Sequence, residues 1–177
     1  MAESYDYDLD PVSFITVGTE GPPGQRTFYL QAAHGPRVVS LVIEKEQALA
    51  LAASIDRLMV RLLQRDPARA GNLAPVTANL DLLQPVQPAF RVSEMGIGVD
   101  EERHMILLVA HEVPEEDPAE GQRARFVASY EQMLALARRA LEVVQQGRPI
   151  CPLCGRPIDP DGHFCARLNG HDTAKTD

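Results

Sequence analysis

No part of the sequence is apolar for long enough to cross a membrane. The longest uninterrupted apolar run, Met105–Ala110, is far shorter than the roughly 20 residues that a membrane-spanning helix requires. The first residues, Met1–Asp6, are acidic and lack the basic and apolar regions of a signal peptide. We therefore expect a cytoplasmic protein that does not insert into a membrane.

Cysteine is scarce and unevenly placed. Only Cys151, Cys154 and Cys165 are present, and all three lie near the C-terminal end. An odd number of cysteines in a reducing compartment argues against a disulfide framework and favours a metal site. The rest of the chain has to fold by apolar packing alone, and 177 residues are enough for that.

Common signatures of catalysis and nucleotide binding are also missing. The chain has no Walker loop, no Gly-x-Gly-x-x-Gly, no Gly-x-Ser-x-Gly and no His-Glu-x-x-His motif. Its net charge of −8 opposes nonspecific attraction to nucleic acid or anionic lipid, because that attraction depends on cationic side chains. We predict no catalytic residue and no organic cofactor, and the sequence favours a binding protein over an enzyme.

Two segments, 45–64 and 131–146, carry apolar residues at helical spacing. The second is preceded by Ser129 with Gln132 three residues later, which is the pattern of a capping box. Both segments are predicted to be amphipathic helices. Their apolar stripes are formed by Leu51, Ile55, Leu58 and Leu62 in the first and by Leu134, Ala137, Leu141 and Val144 in the second.

Alternating apolar and polar residues predict three strands before each helix. Turns containing Gly or Pro, or charged loops, separate these strands. Two further short segments, 5–9 and 80–83, are each predicted to supply a fourth, leading strand. The three-strand sets are 12–19, 27–33 and 38–43 before the first helix, and 90–99, 104–111 and 123–128 before the second.

The two helical segments also share a phrase. EQALALA at 46–52 matches EQMLALA at 131–137, at a constant offset of 85 residues and with one difference. Together with the repeated order of strands and helix, this match predicts an internal duplication of a βββα or ββββα unit. The expected fold class is α+β, with helices packed on one face of a mainly antiparallel sheet.

The chain is predicted to divide into a body and a smaller C-terminal element. The body spans residues 1–147, with half-repeats at about 1–64 and 78–147, and the C-terminal element spans 148–177. The connector 65–89 is long for a structureless loop inside a compact domain, so it is expected to hold a short strand or a helical turn.

The C-terminal element carries a pattern of zinc ligands. Cys151 and Cys154 form a CPLC motif that can reach one ion from a tight turn, and Cys165 supplies a third thiol. His163 points to the same side of an extended segment as Cys165 and can complete a tetrahedral site, while His171 is an alternative fourth ligand. Four protein ligands leave no position for a reacting water, so we expect a structural Zn²⁺ ion in a zinc-ribbon-like element.

Two enzymatic interpretations of the cysteines are disfavoured by the other residues that each would require. A zinc deaminase needs a His-x-Glu motif upstream and a proline directly before its Cys-x-x-Cys, whereas this chain has adjacent His111 and Glu112, and Ile150 before Cys151. A thioredoxin-like dithiol lies at the start of a helix in a βαβ unit, whereas this motif follows a predicted helix and Gly147. A structural metal site is therefore the preferred interpretation.

Several phrases resemble a family of bacterial proteins known as domain of unknown function 3090. These phrases are RTFYLQA at 26–32, EKEQ at 44–47, and GRP at 147–149 leading into CPLCGRPIDPDGHFC at 151–165. The family pattern similarly has two cysteines, an Asp-Pro-x-Gly-His and a third cysteine, so the resemblance implies His163 rather than His171 as the fourth ligand. The chain has Ala166 where the family typically shows proline. The resemblance implies no activity.

Three functions are compatible with the sequence. The leading hypothesis is a non-enzymatic binding or adaptor protein that presents its body to a protein partner. A second is binding of single-stranded nucleic acid through the sheet, by similarity to the PUR and Whirly folds, although the net charge disfavours it. The third is a small-molecule enzyme with a cleft between the halves. The candidate nucleic-acid face comprises Phe28, Phe90, Arg91, Arg123 and Phe126.

Overall fold

The structure is a computed structural model that describes residues 4–22, 24–112, 121–147, 151–156, 158 and 163–167. Four strands precede a long helix, and this order occurs twice along the described chain, with a short helix after the first long one. The elements are β1 (Tyr7–Leu9), β2 (Phe14–Glu20), β3 (Thr27–His34), β4 (Arg37–Ile43), α1 (Lys45–Arg65), α2 (Pro67–Ala70), β5 (Pro88–Arg91), β6 (Glu94–Asp100), β7 (Met105–His111), β8 (Arg123–Ser129) and α3 (Tyr130–Gln145).

The eight strands form two sheets of four. One sheet has the order β1-β8-β7-β6 and the other has the order β2-β3-β4-β5. Each leading strand, β1 or β5, leaves the three strands that follow it and pairs in parallel with the last strand of the other set. All other neighbours are antiparallel, so the prediction of an α+β fold with mainly antiparallel pairing is confirmed. The expectation of a single sheet is wrong, because the strands divide into two sheets.

Two predicted strands are wrong in detail. The segment 90–99 was predicted as one strand, but the chain turns at Val92 and Ser93 and passes from one sheet to the other. The segment 80–83 was predicted to be the leading strand of the second set, but Pro88–Arg91 has that place. Residues 80–83 alternate without pairing as a strand, whereas the alternation of 90–99 is interrupted by the adjacent polar residues Ser93 and Glu94, where the chain changes sheet.

The helices begin and end close to the predicted residues. Ser129 and Gln132 form the predicted capping box at the start of α3, with Ser129 Oγ accepting from the Gln132 N–H at 3.2 Å. The connector holds α2, in agreement with the expected helical turn. Both long helices and the inner faces of both sheets contribute to one continuous apolar core. None of the described helices combines the length and the apolar character needed to span a bilayer.

The connector after α2 covers the outer face of the sheet that contains β2. Thr16 Oγ1 donates to the carbonyl of Leu80 at 2.5 Å, and Gln31 exchanges two hydrogen bonds with the backbone of Leu83. The side chain of Leu82 lies on Gly18, where a Cβ atom would come within 2.4 Å of Leu82 Cγ. The polar side chain of Gln31 is buried, and its hydrogen bonds to the backbone of the connector satisfy it.

The two places where the chain changes sheet have the same hydrogen bonds. The N–H of Val12 donates to Val127 and the N–H of Val92 donates to Val42, each at 2.8 Å. The serine that follows each valine donates, through its backbone and its hydroxyl, to the carbonyl of the residue that pairs with the first residue of the next strand. These acceptors are Ala33 for Ser13 and His111 for Ser93. The chain therefore passes from β1 to β2, and from β5 to β6, with the same backbone contacts.

Candidate metal centre

The metal motif begins with a tight turn at Cys151–Cys154. The N–H of Gly155 donates to the carbonyl of Cys151 at 2.9 Å, and the N–H of Cys151 donates to the carbonyl of Arg156 at 2.8 Å. Gly155 has φ of +70°, a left-handed conformation that costs glycine little and other residues more. This local geometry turns the two thiols of the CPLC motif towards the same side.

The second arm of the motif brings the other two donors to the turn. Cys151 Sγ lies 3.9 Å from Cys165 Sγ, and Cys154 Sγ lies 3.2 Å from His163 Nε2. All four donor atoms lie within 4.8 Å of one another. The two arms are also joined by Arg167, whose Nη1 donates to the carbonyl of Leu153 at 3.0 Å. Sequence reasoning missed Arg167, because no spacing rule links it to a carbonyl fourteen residues earlier.

Backbone N–H groups favour the thiolate form of Cys151. The amides of Cys154 and Leu153 donate to its sulfur and lower its pKa to about 6, with smaller contributions from the Cys154 and Cys165 thiols, although burial acts in the opposite direction. A metal ion binds the thiolate and not the thiol, so this turn prepares one ligand at neutral pH.

Cys154 has the opposite shift. The amide of Arg156 favours its thiolate, but burial and the neighbouring Cys151 and Cys165 sulfurs together outweigh that amide and raise the pKa of Cys154. Three thiols so close together cannot all ionise easily without a cation, because like charges repel. The cluster therefore favours a bound cation over three free thiolates.

The donor set fits a tetrahedral zinc ion. At a Zn–S distance of about 2.3 Å and a Zn–N distance of about 2.0 Å, a tetrahedral site has S···S edges of about 3.8 Å and S···N edges of about 3.5 Å. The sulfurs of Cys151 and Cys165, 3.9 Å apart, have this S···S separation. The Cys154 sulfur and the His163 nitrogen, 3.2 Å apart, are slightly closer than the ideal S···N edge. Cys151, Cys154, His163 and Cys165 can thus hold a metal ion with only small movements of the side chains.

A family model for a protein of unknown function, DUF3090, matches residues 7–165 of this chain, which includes both the body and the four donors. The chain belongs to the DUF3090 family. This confirms the resemblance drawn from the sequence. No curated protein and no solved structure matches the chain.

The alternative fourth ligand of this DUF3090 protein, His171, lies outside the described residues, as do residues 113–120. Three other histidines lie apart from the metal motif and at separate places: His34 ends β3, His104 is in the turn after β6, and His111 ends β7. The described structure does not bring them together into a catalytic group.

The aromatic residues proposed for a nucleic-acid face are not available to stack on bases. Phe28, Phe90 and Phe126 are between 0% and 7% exposed and belong to the core, so that prediction is wrong for all three. Of the two arginines proposed for that face, Arg91 forms an ion pair with Glu44, which neutralises its charge, and Arg123 is exposed at the start of β8.

A cavity of about 320 Å³ lies between α3 and the connector. Its polar side chains are Glu131, Arg138, Arg139 and Glu142, and its described lining contains no histidine, cysteine, serine or threonine. Arg139 is already paired with Asp81 at 2.8 Å. Equal numbers of acids and bases without a nucleophile do not form a catalytic constellation.

Proposed function

We propose that this protein is a cytoplasmic binding or adaptor protein without catalytic activity, whose C-terminal element folds around one structural zinc ion. The observation that carries the proposal is the convergence of three sulfurs and one imidazole nitrogen within 4.8 Å. Three thiolates and one histidine form a ligand set that zinc commonly has in structural sites.

A closed ligand set supports a structural role for the ion. Catalytic zinc keeps one position for water or substrate, whereas four protein donors occupy all four positions. Structural zinc sites contribute about 10–16 kcal/mol of apparent binding free energy at neutral pH. That free energy is large compared with what the short described segments 151–156 and 163–167 can gain by packing, since their buried apolar residues are only Cys151 and Cys165.

The described body supports binding over catalysis. The cavity between α3 and the connector has no nucleophile and no histidine in its described lining, and the described histidines of the body are dispersed. The body instead offers two sheets with different outer surfaces, one covered by the connector and one not. A binding protein uses such a surface without needing reactive groups.

Elemental analysis of the purified full chain tests the zinc assignment. One zinc per chain is expected, and both Cys151→Ser and His163→Gln should lose it, whereas the matched control His111→Gln should retain it. Cobalt substitution should give the visible absorption of tetrahedral coordination in the parent and not in Cys151→Ser. Full zinc content in Cys151→Ser would refute the site. Loss of zinc in His171→Gln but not in His163→Gln would assign the fourth ligand to His171.

The adaptor role is tested separately by affinity purification of the tagged full chain after crosslinking in cells. A stoichiometric protein partner is expected. Recovery of the chain alone, at crosslinking levels that capture known complexes, would count against the adaptor role without affecting the zinc assignment.

We also propose that the body arose by duplication of a ββββα unit. Three features support this: the matched phrase at 46–52 and 131–137, the repeated order of elements, and the identical hydrogen bonds of Val12-Ser13 and Val92-Ser93. The Val-Ser pair itself is a repeat that the sequence contains at an offset of 80 residues. Exchange of the leading strands then explains why the two units share one core.

A further inference from the structure

Strand β6 lies at the open edge of its sheet. The order β1-β8-β7-β6 leaves one side of β6 without a neighbouring strand. None of its seven residues is buried, and a Cβ atom added at Gly96 or Gly98 would have no neighbour within 4 Å. Within the residues that the structure describes, the outward N–H and C=O groups of β6 have no strand partner.

The matched strand β2 is covered instead. Helix α3 packs along β2, and four consecutive residues of β2 are buried. Leu82 of the connector lies on Gly18, the counterpart of Gly98, and closes the outer face there. Helix α1 touches β6 only sparsely. The same position is therefore closed in one half of the body and open in the other.

A groove of about 180 Å³ separates α1 from β6. Its apolar lining includes Ala50 and Leu51 of the helix and Met95 and Ile97 of the strand. Met95 and Ile97 pack against the core but are only partly buried. The groove thus runs beside the free edge and exposes apolar surface next to unpaired backbone groups.

Two contacts join α1 to the ends of the segment that contains β6. Gln47 Nε2 donates to the carbonyls of Val92 and Ser93, both at 3.1 Å. Arg65 of α1 lies 3.9 Å from Glu101, in the turn after β6. The groove itself is lined from Gln47 to Ser54 on the helix and from Ser93 to Ile97 on the strand, so it lies beside the first half of β6.

The edge lacks three of the usual protections against strand addition. Natural edge strands are commonly protected by lysine, by proline or by a bulge, as well as by other charged side chains. Residues 94–100 read EMGIGVD, without lysine or proline, and the pairing with β7 has a continuous register. An extended peptide can therefore add to β6 through backbone hydrogen bonds and place alternate side chains in the groove.

The charges of β6 indicate what that peptide contains. Glu94 and Asp100 lie at its two ends and, by the alternation of the strand, on the same face as Gly96 and Gly98. Asp100 also accepts from the backbone N–H of Arg103 at 3.0 Å and lies 3.8 Å from its guanidinium, so Glu94 is the stronger attraction for a base. A second copy of β6 paired antiparallel about Ile97 would place acid opposite acid at both ends, and like charges directly opposite are unfavourable. Basic residues at both ends of an added strand are favourable.

We infer that β6 and the groove beside α1 bind an extended segment of a partner protein, which joins the sheet as a fifth strand. The segment has a basic residue at each end of five residues whose first, third and fifth side chains are apolar. Antiparallel pairing with β6 is expected, because parallel pairing is slightly less stable per residue. The inference rests on the proposed binding function and names the surface and the chemistry of the partner.

The probe for this inference is a capped seven-residue peptide, Lys-Val-Thr-Val-Thr-Val-Lys, added to the full chain. Amide hydrogen exchange should slow in β6 and remain unchanged in β2, whose edge is covered. Fluorescence anisotropy with a labelled probe gives the affinity. A matched peptide with glutamate at both ends should bind more weakly.

Backbone methylation distinguishes strand addition from loose apolar contact. Methylation of the alternate peptide amides that face β6 should abolish binding, whereas methylation of the other alternate amides should leave it largely unchanged. Glu94→Lys should weaken the lysine-ended probe about three- to tenfold, and the control Glu102→Lys, in the adjoining turn, should change it little. Both substitutions are at exposed residues and should leave the fold intact.

Three outcomes would overturn the inference: no protection of β6 by the probe, equal binding of both methylated peptides, or protection of β6 by self-association in the absence of probe. Light scattering detects the last of these. A chain that holds zinc and captures a partner elsewhere, but fails these tests, would refute the β6 site and leave the proposed function standing. Loss of the zinc assignment would not alter the probe result.

Discussion

The side-chain amide of Gln132 donates a hydrogen bond to the carbonyl oxygen of Val12, 3.2 Å away and 120 residues earlier in the chain. The oxygen of the same amide accepts from the backbone N–H of Ser129 at 2.9 Å. One side chain therefore caps α3 and ties the end of the other unit's leading strand to it. Gln47 makes the corresponding bonds at α1, to Glu44 and to Val92.

Replacement of Gln132 by methionine should destabilise the body. The change keeps the length of the side chain but leaves the Val12 carbonyl and the Ser129 amide without this partner, which costs about 1–3 kcal/mol for buried groups. Gln47→Met should cost less, because the bond of Gln47 to Glu44 is exposed. Urea unfolding measures both free energies. Gln145→Met, at an exposed position near the end of α3, is the control, and an equal loss there would contradict the explanation.

The sequence predicts these helices well but not the hydrogen bonds that join them to distant parts of the chain. Local patterns are enough for the apolar stripes and for the Ser129–Gln132 box, since both depend on residues within one or two turns. The bond from Gln132 to Val12 depends on which sheet the leading strand joins. That choice is made by pairing across more than a hundred residues, for which a single sequence has no local signal.

Gly18 and Gly98 occupy matched positions in β2 and β6 but have different surroundings. A Cβ atom at Gly18 would collide with Leu82, whereas at Gly98 it would meet nothing. Gly18→Ala should therefore cost about 1–3 kcal/mol by displacing the connector. Gly98→Ala should be neutral or stabilise by up to about 1 kcal/mol, because glycine is unfavourable within a strand.

Thermal or urea unfolding of both variants checks this difference, and combining Gly18→Ala with Leu82→Ala checks its cause. Since the clash is with the leucine side chain, the double variant should be less destabilised than the sum of the two single changes. Additive losses would show that Leu82 does not account for the effect.

The two wrong strand predictions, at 80–83 and at 90–99, have physical reasons. Residues 80–83 alternate like a strand, yet Thr16 and Gln31 bind their backbone from the face of the sheet and not from its edge. The segment 90–99 carries a signal that the prediction missed, because Ser93 and Glu94 are two polar residues in succession and shift the phase of the alternation where the chain changes sheet. Periodicity reports that a segment is extended and half-buried, and it contains no information on what covers it.

The metal motif was more predictable, because its geometry is local. The spacing of Cys151, Cys154, His163 and Cys165 restricts them to one small volume, and the structure places all four donors together. The amides that bond to Cys151 and Cys154 could not be predicted in the same way, since their direction depends on the turn conformation around Gly155.

Those amides lead to a prediction about pH. The pKa of Cys151 is lowered from 9.0 to about 6, first by the Cys154 amide and then by the Leu153 amide. Because the folded pKa is lower than that of the unfolded chain, the thiolate stabilises the turn above the unfolded value, and this contribution is lost as the pH falls through about 6.

In chelator-treated protein, thiolate absorbance should therefore show one ionisation with a midpoint near pH 6. Cys151→Ser should remove that step. Cys154→Ser should retain it with a slightly higher midpoint, because the residue 154 amide remains and only the smaller contribution of the Cys154 thiol is lost. If Cys154→Ser abolished the step, the thiols and not the backbone would be its cause.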